Sequence, residues 1–237
     1  MILLIYRKPL RRAALIIVAV ICCAAVLTSA LRSGAVRPAA KMVELNPSSH
    51  VIIVDPGHGG EDGGAVAADG TVESKINLEI AQKVYFLFRF CGQSCSMTRN
   101  KDVSTYSDGA KTLREKKVSD LKNRVALVNR TSKSFLVSIH QNYLPSAGVH
   151  GAQVFYNAEA QDTGKRVQES LNSTVNVERK KSAKTIAPSI YLMKNIKKPG
   201  ILVECGFLSN PSETKKLKSP TYQILLAASI TSGFLNC

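Results

Sequence analysis

Three short apolar runs, each ending on a titratable side chain, restrict this chain more than any other feature. Residues 51–54 (Val-Ile-Ile-Val) lead through Asp-Pro-Gly to His58, residues 135–139 close on His140, and residues 200–203 close on Glu204. Apolar runs of this length read as buried strands. Between them lie helix-period patterns: Ile76, Ile80, Val84, Leu87 and Phe88 mark one face of a helix over residues 76–90. Residues 120–129, 163–171 and 222–235 also read as helices, residues 95–98 as a short strand, and 151–156 as an alternating edge strand. Residues 100–117 are polar, carry the turn signal Tyr106-Ser-Asp-Gly109, and read as a surface excursion. Strands alternating with helices predict an α/β fold: a three-layer sandwich with a largely parallel, twisted sheet and helices on both faces. In such sheets the carboxyl ends of the strands share one edge, where ligand sites are built. His58, His140 and Glu204 are therefore expected to meet.

The turn Asp55-Pro-Gly-His-Gly-Gly60 supports that reading, because its glycines permit a sharp bend and close approach by another group. Two histidines and one carboxylate with an open position make the zinc site of many hydrolases. Glu204 follows Ile-Leu-Val, where an unpaired buried carboxylate is costly. Glu73 opens the helix after the first strand and is near His58 in sequence. By residue chemistry alone, Glu73 can be the ligand with Glu204 as base, or the reverse; Glu61 and Asp62 also remain candidate ligands. Asn142 reads as a substrate-orienting or capping residue, and His50 and His150 as surface histidines. Cys205, next to Glu204, should point to the opposite face of its strand.

The N-terminus stands apart. Arg7, Lys8, Arg11 and Arg12 precede residues 13–31, which carry no charge, and Arg32 follows. This reads as a signal or membrane anchor over residues 1–32, then a linker over 33–50 and a catalytic domain over 51–237. The length favours an uncleaved anchor, although Thr28-Ser-Ala30 offers a cleavage site. The basic flank stays inside and the remainder is exported. Beyond Arg32 the chain keeps 27 of its 32 basic residues and all 17 acidic ones, a net charge of +10. That excess suits anionic lipid or wall polymers. The export signal, the lack of Trp and the lack of an aromatic-plus-basic motif argue against nucleic acid. Cys91 and Cys95 read as a small disulfide or as two packed thiols; the six cysteines form no metal framework.

Four ordered motifs carry a resemblance: Val54-Asp-Pro-Gly-His-Gly-Gly-Glu-Asp-Gly-Gly-Ala65, Val72-Glu-Ser-Lys-Ile-Asn-Leu78, Ser138-Ile-His-Gln-Asn142 and Leu202-Val-Glu-Cys-Gly-Phe-Leu-Ser-Asn-Pro211. From Val51 onward the chain resembles the zinc-dependent N-acetylmuramoyl-L-alanine amidases. The resemblance implies Zn2+ on His58, Glu73 and His140, with Glu204 as catalytic base. It implies peptidoglycan as substrate, cut at the amide between the muramic lactyl group and L-alanine, and in some members an activating protein partner. Gly63 departs from the family's usual Pro. The segment 106–124, with Gly151-Ala-Gln-Val-Phe-Tyr156 and Ile190-Tyr-Leu-Met-Lys-Asn-Ile-Lys-Lys-Pro199, is similar to the germination-specific branch of endospore formers. That branch acts in muramic-lactam formation in the spore cortex. A vegetative wall amidase and a zinc wall endopeptidase are the competing expectations. In each case the protein faces the wall or cortex, membrane-anchored or secreted.

Overall fold

A computed structural model describes residues 50–146 and 148–236. The expected signal or anchor, the linker up to residue 49, Cys22, Cys23 and Cys237 lie outside the described residues. In chain order the elements are β1 (Val51–Pro56), α1 (Glu73–Phe90), β2 (Cys95–Met97), α2 (Leu113–Arg130), β3 (Ser134–Asn142) and β4 (Gln153–Tyr156). Then follow α3 (Gln161–Thr174), β5 (Lys184–Thr185), α4 (Tyr191–Asn195), β6 (Gly200–Phe207), α5 (Pro211–Leu217) and α6 (Pro220–Leu235). The sheet order is β2-β1-β3-β6-β4-β5, parallel throughout except where β4 runs against β6. Fold class and layering are as expected.

Strand alternation sorts the side chains onto two faces. Ile52, Val54, Val137, Ile139, Ile201, Val203 and Cys205 enter the larger core, with Val84 and Phe88 of α1, Val167 and Leu171 of α3, and Leu226 and Ile230 of α6. On the other face Ile53, Leu136 and Leu202 pack with Val128 of α2 and with Leu192 and Met193 of α4. Toward the carboxyl ends of the strands this second face changes character. Asp55 pairs in register with Ser138, and His140 with Glu204. An apolar floor thus passes into a polar shelf on the same face, and that shelf is where the site forms.

Several expectations needed correction. Helix α2 begins at Leu113, not near 120, because Thr112 and Glu115 form a reciprocal capping box that fixes its start. β4 is not an edge strand, since the two-residue β5 pairs outside it and is too short to carry a periodicity. The short helices α4 and α5 were not anticipated, although Asn210 caps α5 and Pro211 takes its first turn. Cys95 is a free thiol, so it forms no disulfide with Cys91. Cys205 is a fully buried core thiol, as strand alternation required.

Candidate metal centre

β1 ends at Pro56 and the chain bends at once. His58 sits at φ 60°, a left-handed conformation that side chains adopt only when their surroundings impose it. Buried donors impose it here by gripping three successive carbonyls. Arg99 donates to the oxygens of Pro56 and Gly57, both at 3.0 Å. Arg124 donates to Pro56 O at 2.8 Å and His58 O at 2.7 Å, and Asn77 to Gly57 O at 3.1 Å. Two of the motif's glycines are required by space. A Cβ at Gly57 would lie 2.2 Å from the His140 ring, and one at Gly64 would lie 2.5 Å from Glu73 Oε2.

Three potential ligand atoms, one each from His58, Glu73 and His140, lie within 4.8 Å of one another. Glu73 Oε1 is 3.1 Å from His140 Nδ1 and 3.4 Å from His58 Nε2, and the two rings meet edge-on at 5.0 Å. Glu73 is aimed by its own contacts: Oε2 accepts from Ala65 N at 2.9 Å, and Oε1 from Gln141 N at 3.1 Å. Gln141 in turn donates to Asn77 Oδ1, which ties β3 to α1. Asp62 Oδ2 lies 2.9 Å from His58 Nδ1 and fixes the ring's other nitrogen. Glu61 instead points out to Lys116.

The electrostatics call for a positive charge at this spot. Burial opposes a charged His58, but Asp62 and Glu73 outweigh it and raise its pKa to about 9. Burial likewise opposes an ionised Glu73, yet the two histidines hold it well below the usual carboxylate range. Two imidazoles and an oriented carboxylate around such a point fit a zinc-type cation, which takes the place of the proton. Glu204 behaves differently. Burial pushes its pKa up to about 7, with His140 lowering it and Glu73 raising it further. Its Oε2 is buried without a hydrogen-bond partner. Among the described residues, all four side chains line one cleft of about 440 Å³, walled by Asn142, Tyr143, Ile190 and Tyr191. Asn142 therefore faces the cleft, whereas His150 bonds to Gly148 O nearby in the chain.

Sequence reasoning missed the support beneath the ligands. Asp55 Oδ1 accepts from Arg124 and from Thr98, both at 2.6 Å, and its Oδ2 from Ser138 at 2.7 Å. The signal was present, because a carboxylate two residues beyond Ile53 must face the same buried side and needs a cation. Burial pushes the Asp55 pKa up, but Arg124, Thr98 and Ser138 outweigh this and hold it at about 2. A carboxyl depressed in the folded state stabilises fully above its unfolded pKa of about 3.9 and loses that contribution as pH falls through about 2. The acid limb of unfolding free energy against pH should therefore be shallower in Asp55→Asn than in the parent between roughly pH 4 and 2. Superimposable slopes in denaturant titrations would contradict this.

Residues 52–236 match the family Amidase_3, N-acetylmuramoyl-L-alanine amidase. The germination-specific N-acetylmuramoyl-L-alanine amidase of Bacillus subtilis strain 168 is 42% identical over 192 residues, covering 79% of each chain. LytC, an N-acetylmuramoyl-L-alanine amidase of the same strain, is 29% identical over 187 residues, covering 77% of this chain and 34% of its own. Among solved structures, the CwlD amidase of Clostridioides difficile, in complex with the GerS lipoprotein, superposes with a TM-score of 0.75 at 37% identity. That match covers 79% of this chain and 97% of the other.

Proposed function

The chain belongs to the N-acetylmuramoyl-L-alanine amidase family and hydrolyses peptidoglycan, and we propose that it does so with zinc, in the spore cortex. The observation that carries the metal is the convergence of His58, Glu73 and His140 within 4.8 Å, in a recess where Asp62 and Glu73 favour positive charge. The 42% identity with the germination-specific amidase across 79% of both chains supports the cortex as the place of action. Residues 1–32 are the signal or anchor, 33–50 a linker and 51–237 the catalytic domain, which acts outside the membrane on the wall side. Among the described residues no helix is long and apolar enough to cross a membrane. The complex of the C. difficile amidase with the GerS lipoprotein supports a protein partner here as well.

His58, Glu73 and His140 are the metal ligands. Zinc, when bound, supplies Lewis acidity toward the scissile carbonyl and an attacking water. Glu204 is the catalytic base: its unpartnered Oε2 takes the proton of the water and passes it to the departing L-alanine nitrogen. A pKa near 7 suits both transfers, because the group can hold and release a proton at neutral pH. Tyr143 and Tyr191 offer partly exposed rings to the sugar and peptide, and Asp62 keeps the His58 ring in register. The test is digestion of purified cortex and vegetative peptidoglycan by the full chain, with products read by mass spectrometry. Peptides with a free L-alanine amino terminus are expected, more from cortex, with activity abolished by chelator and restored by zinc. Cuts inside the stem peptide, or activity indifferent to chelator, overturn the proposal.

A further inference from the structure

The end of the sheet away from the site takes no part in the metal centre. At the carboxyl end Lys116 pairs with Glu61, Lys117 with Asp62 and Lys218 with Asp69. The opposite end, where the strands begin, carries four exposed cations. Exposed Arg89 lies at the foot of α1, exposed Arg130 at the foot of α2, and the carbonyl of exposed Lys133 accepts from Val51 N at the start of β1. Lys197, also exposed, is brought to this end by its backbone bond to Asn129. Among the described residues none of these four cations is in an ion pair. The acidic residues at this end, Glu159 and Asp162, lie beneath β4, beyond β6 from β1.

An aromatic pair lies at this end as well. Phe86 and Phe90 on the last turns of α1 are 65% and 79% exposed, with ring centroids 6.4 Å apart. Leaving two stacked phenylalanines in water is unfavourable unless something covers them. The described chain also starts at this end, at His50 before β1, and the sequence ahead of it includes the uncharged stretch 13–31.

We propose that this end, with exposed Phe86 and Phe90 of α1 and the exposed cations Arg89, Arg130, Lys133 and Lys197, rests on an anionic phospholipid bilayer. Exposed aromatics enter the interfacial layer while unpaired cations meet the headgroup phosphates. The zinc cleft then opens at the far end of the strands, turned away from the membrane toward the wall. This rests on the export reading of the N-terminal segment, and goes beyond it by fixing which end faces lipid.

The chain contains no Trp, so a single introduced Trp reports its own surroundings. Full-length Phe90→Trp is reconstituted in phosphatidylglycerol/phosphatidylcholine vesicles carrying brominated lipid, beside full-length Leu113→Trp as a reporter at the cleft end. Phe90→Trp should be quenched at least about twofold more than Leu113→Trp. That excess should disappear in pure phosphatidylcholine, and on adding Arg89→Glu, Arg130→Glu and Lys133→Glu to Phe90→Trp. Equal quenching of the two reporters overturns the proposal. So does quenching unaffected by lipid charge, or a blue shift without bromolipid quenching, which indicates pairing with a second copy. A chain that fails to float with vesicles overturns the export reading too, whereas flotation without Phe90→Trp quenching overturns only the surface. Neither readout depends on zinc or hydrolysis, so each stands apart from the amidase reading.

Discussion

Glu204→Gln is expected to keep a full equivalent of zinc while losing about 10²–10⁴-fold in kcat, the range a positioned general base supplies. The two measurements separate because Glu204 lies in the cleft beside the trio but is not one of the three side chains that converge. His140→Ala should behave in the opposite way, losing the metal first and activity with it. Elemental analysis and steady-state kinetics on both variants give a four-way readout. If Glu204→Gln hydrolyses at the parental rate, the proton is carried elsewhere. If it loses zinc, Glu204 belongs among the ligands and the alternative assignment of the two glutamates returns. The raised pKa sharpens the prediction. An ordinary carboxyl, at about 4.3, would hold a proton only briefly at neutral pH, whereas one near 7 accepts and donates with nearly equal ease.

The architecture was legible because its signals are local. Apolar runs at β1, β3 and β6 announce buried strands, and the period of Ile76, Ile80 and Val84 announces α1; alternation with helices then limits the sheet to a parallel kind. The four residues that meet in the cleft were legible for the same reason, since three close or follow strands that share an edge. What sequence could not supply is long-range. The order β2-β1-β3-β6-β4-β5 depends on how helices cover two faces, and β5 exists only because β4 leaves an edge to cover. That Glu73 and not Glu61 meets the two histidines depends on Glu61 turning out to Lys116, which approaches from α2, 55 positions away. The motif resemblance implied the same trio, whereas residue chemistry left the choice open. The polar shelf under the ligands was missed altogether, because Asp55 and Arg124 are 69 positions apart and nothing in either local pattern names the other.

That shelf makes the largest stability prediction. Arg124 is almost fully buried and bonds Asp55 at 2.6 Å, Asp120 at 2.7 Å and the carbonyls of Pro56 and His58. Arg124→Met fills most of the volume but takes the shared cation from two carboxylates and the donor from the His58 carbonyl, while Arg99 still reaches that of Pro56. Removing one partner of a buried ion pair costs about 3–5 kcal/mol. In a domain of this size each kcal/mol lowers Tm by about 2–4 °C, so a fall on the order of 10 °C is expected by thermal unfolding. Arg124→Lys should recover little, because one ammonium cannot span Asp55, Asp120 and two carbonyls as a guanidinium fork does. Adding Asp55→Asn to Arg124→Met should cost less than the two single changes together, since the first removes a charge that the second has stranded. The loss should also reach the metal. The same guanidinium holds the carbonyl of His58, a residue at φ 60°, so a slackened turn should weaken zinc uptake even at temperatures where the variant stays folded. Zinc titration well below Tm decides this. Parental affinity in folded Arg124→Met would mean that Arg99 and Asn77 alone fix the turn, and that Arg124 serves the fold without serving the site.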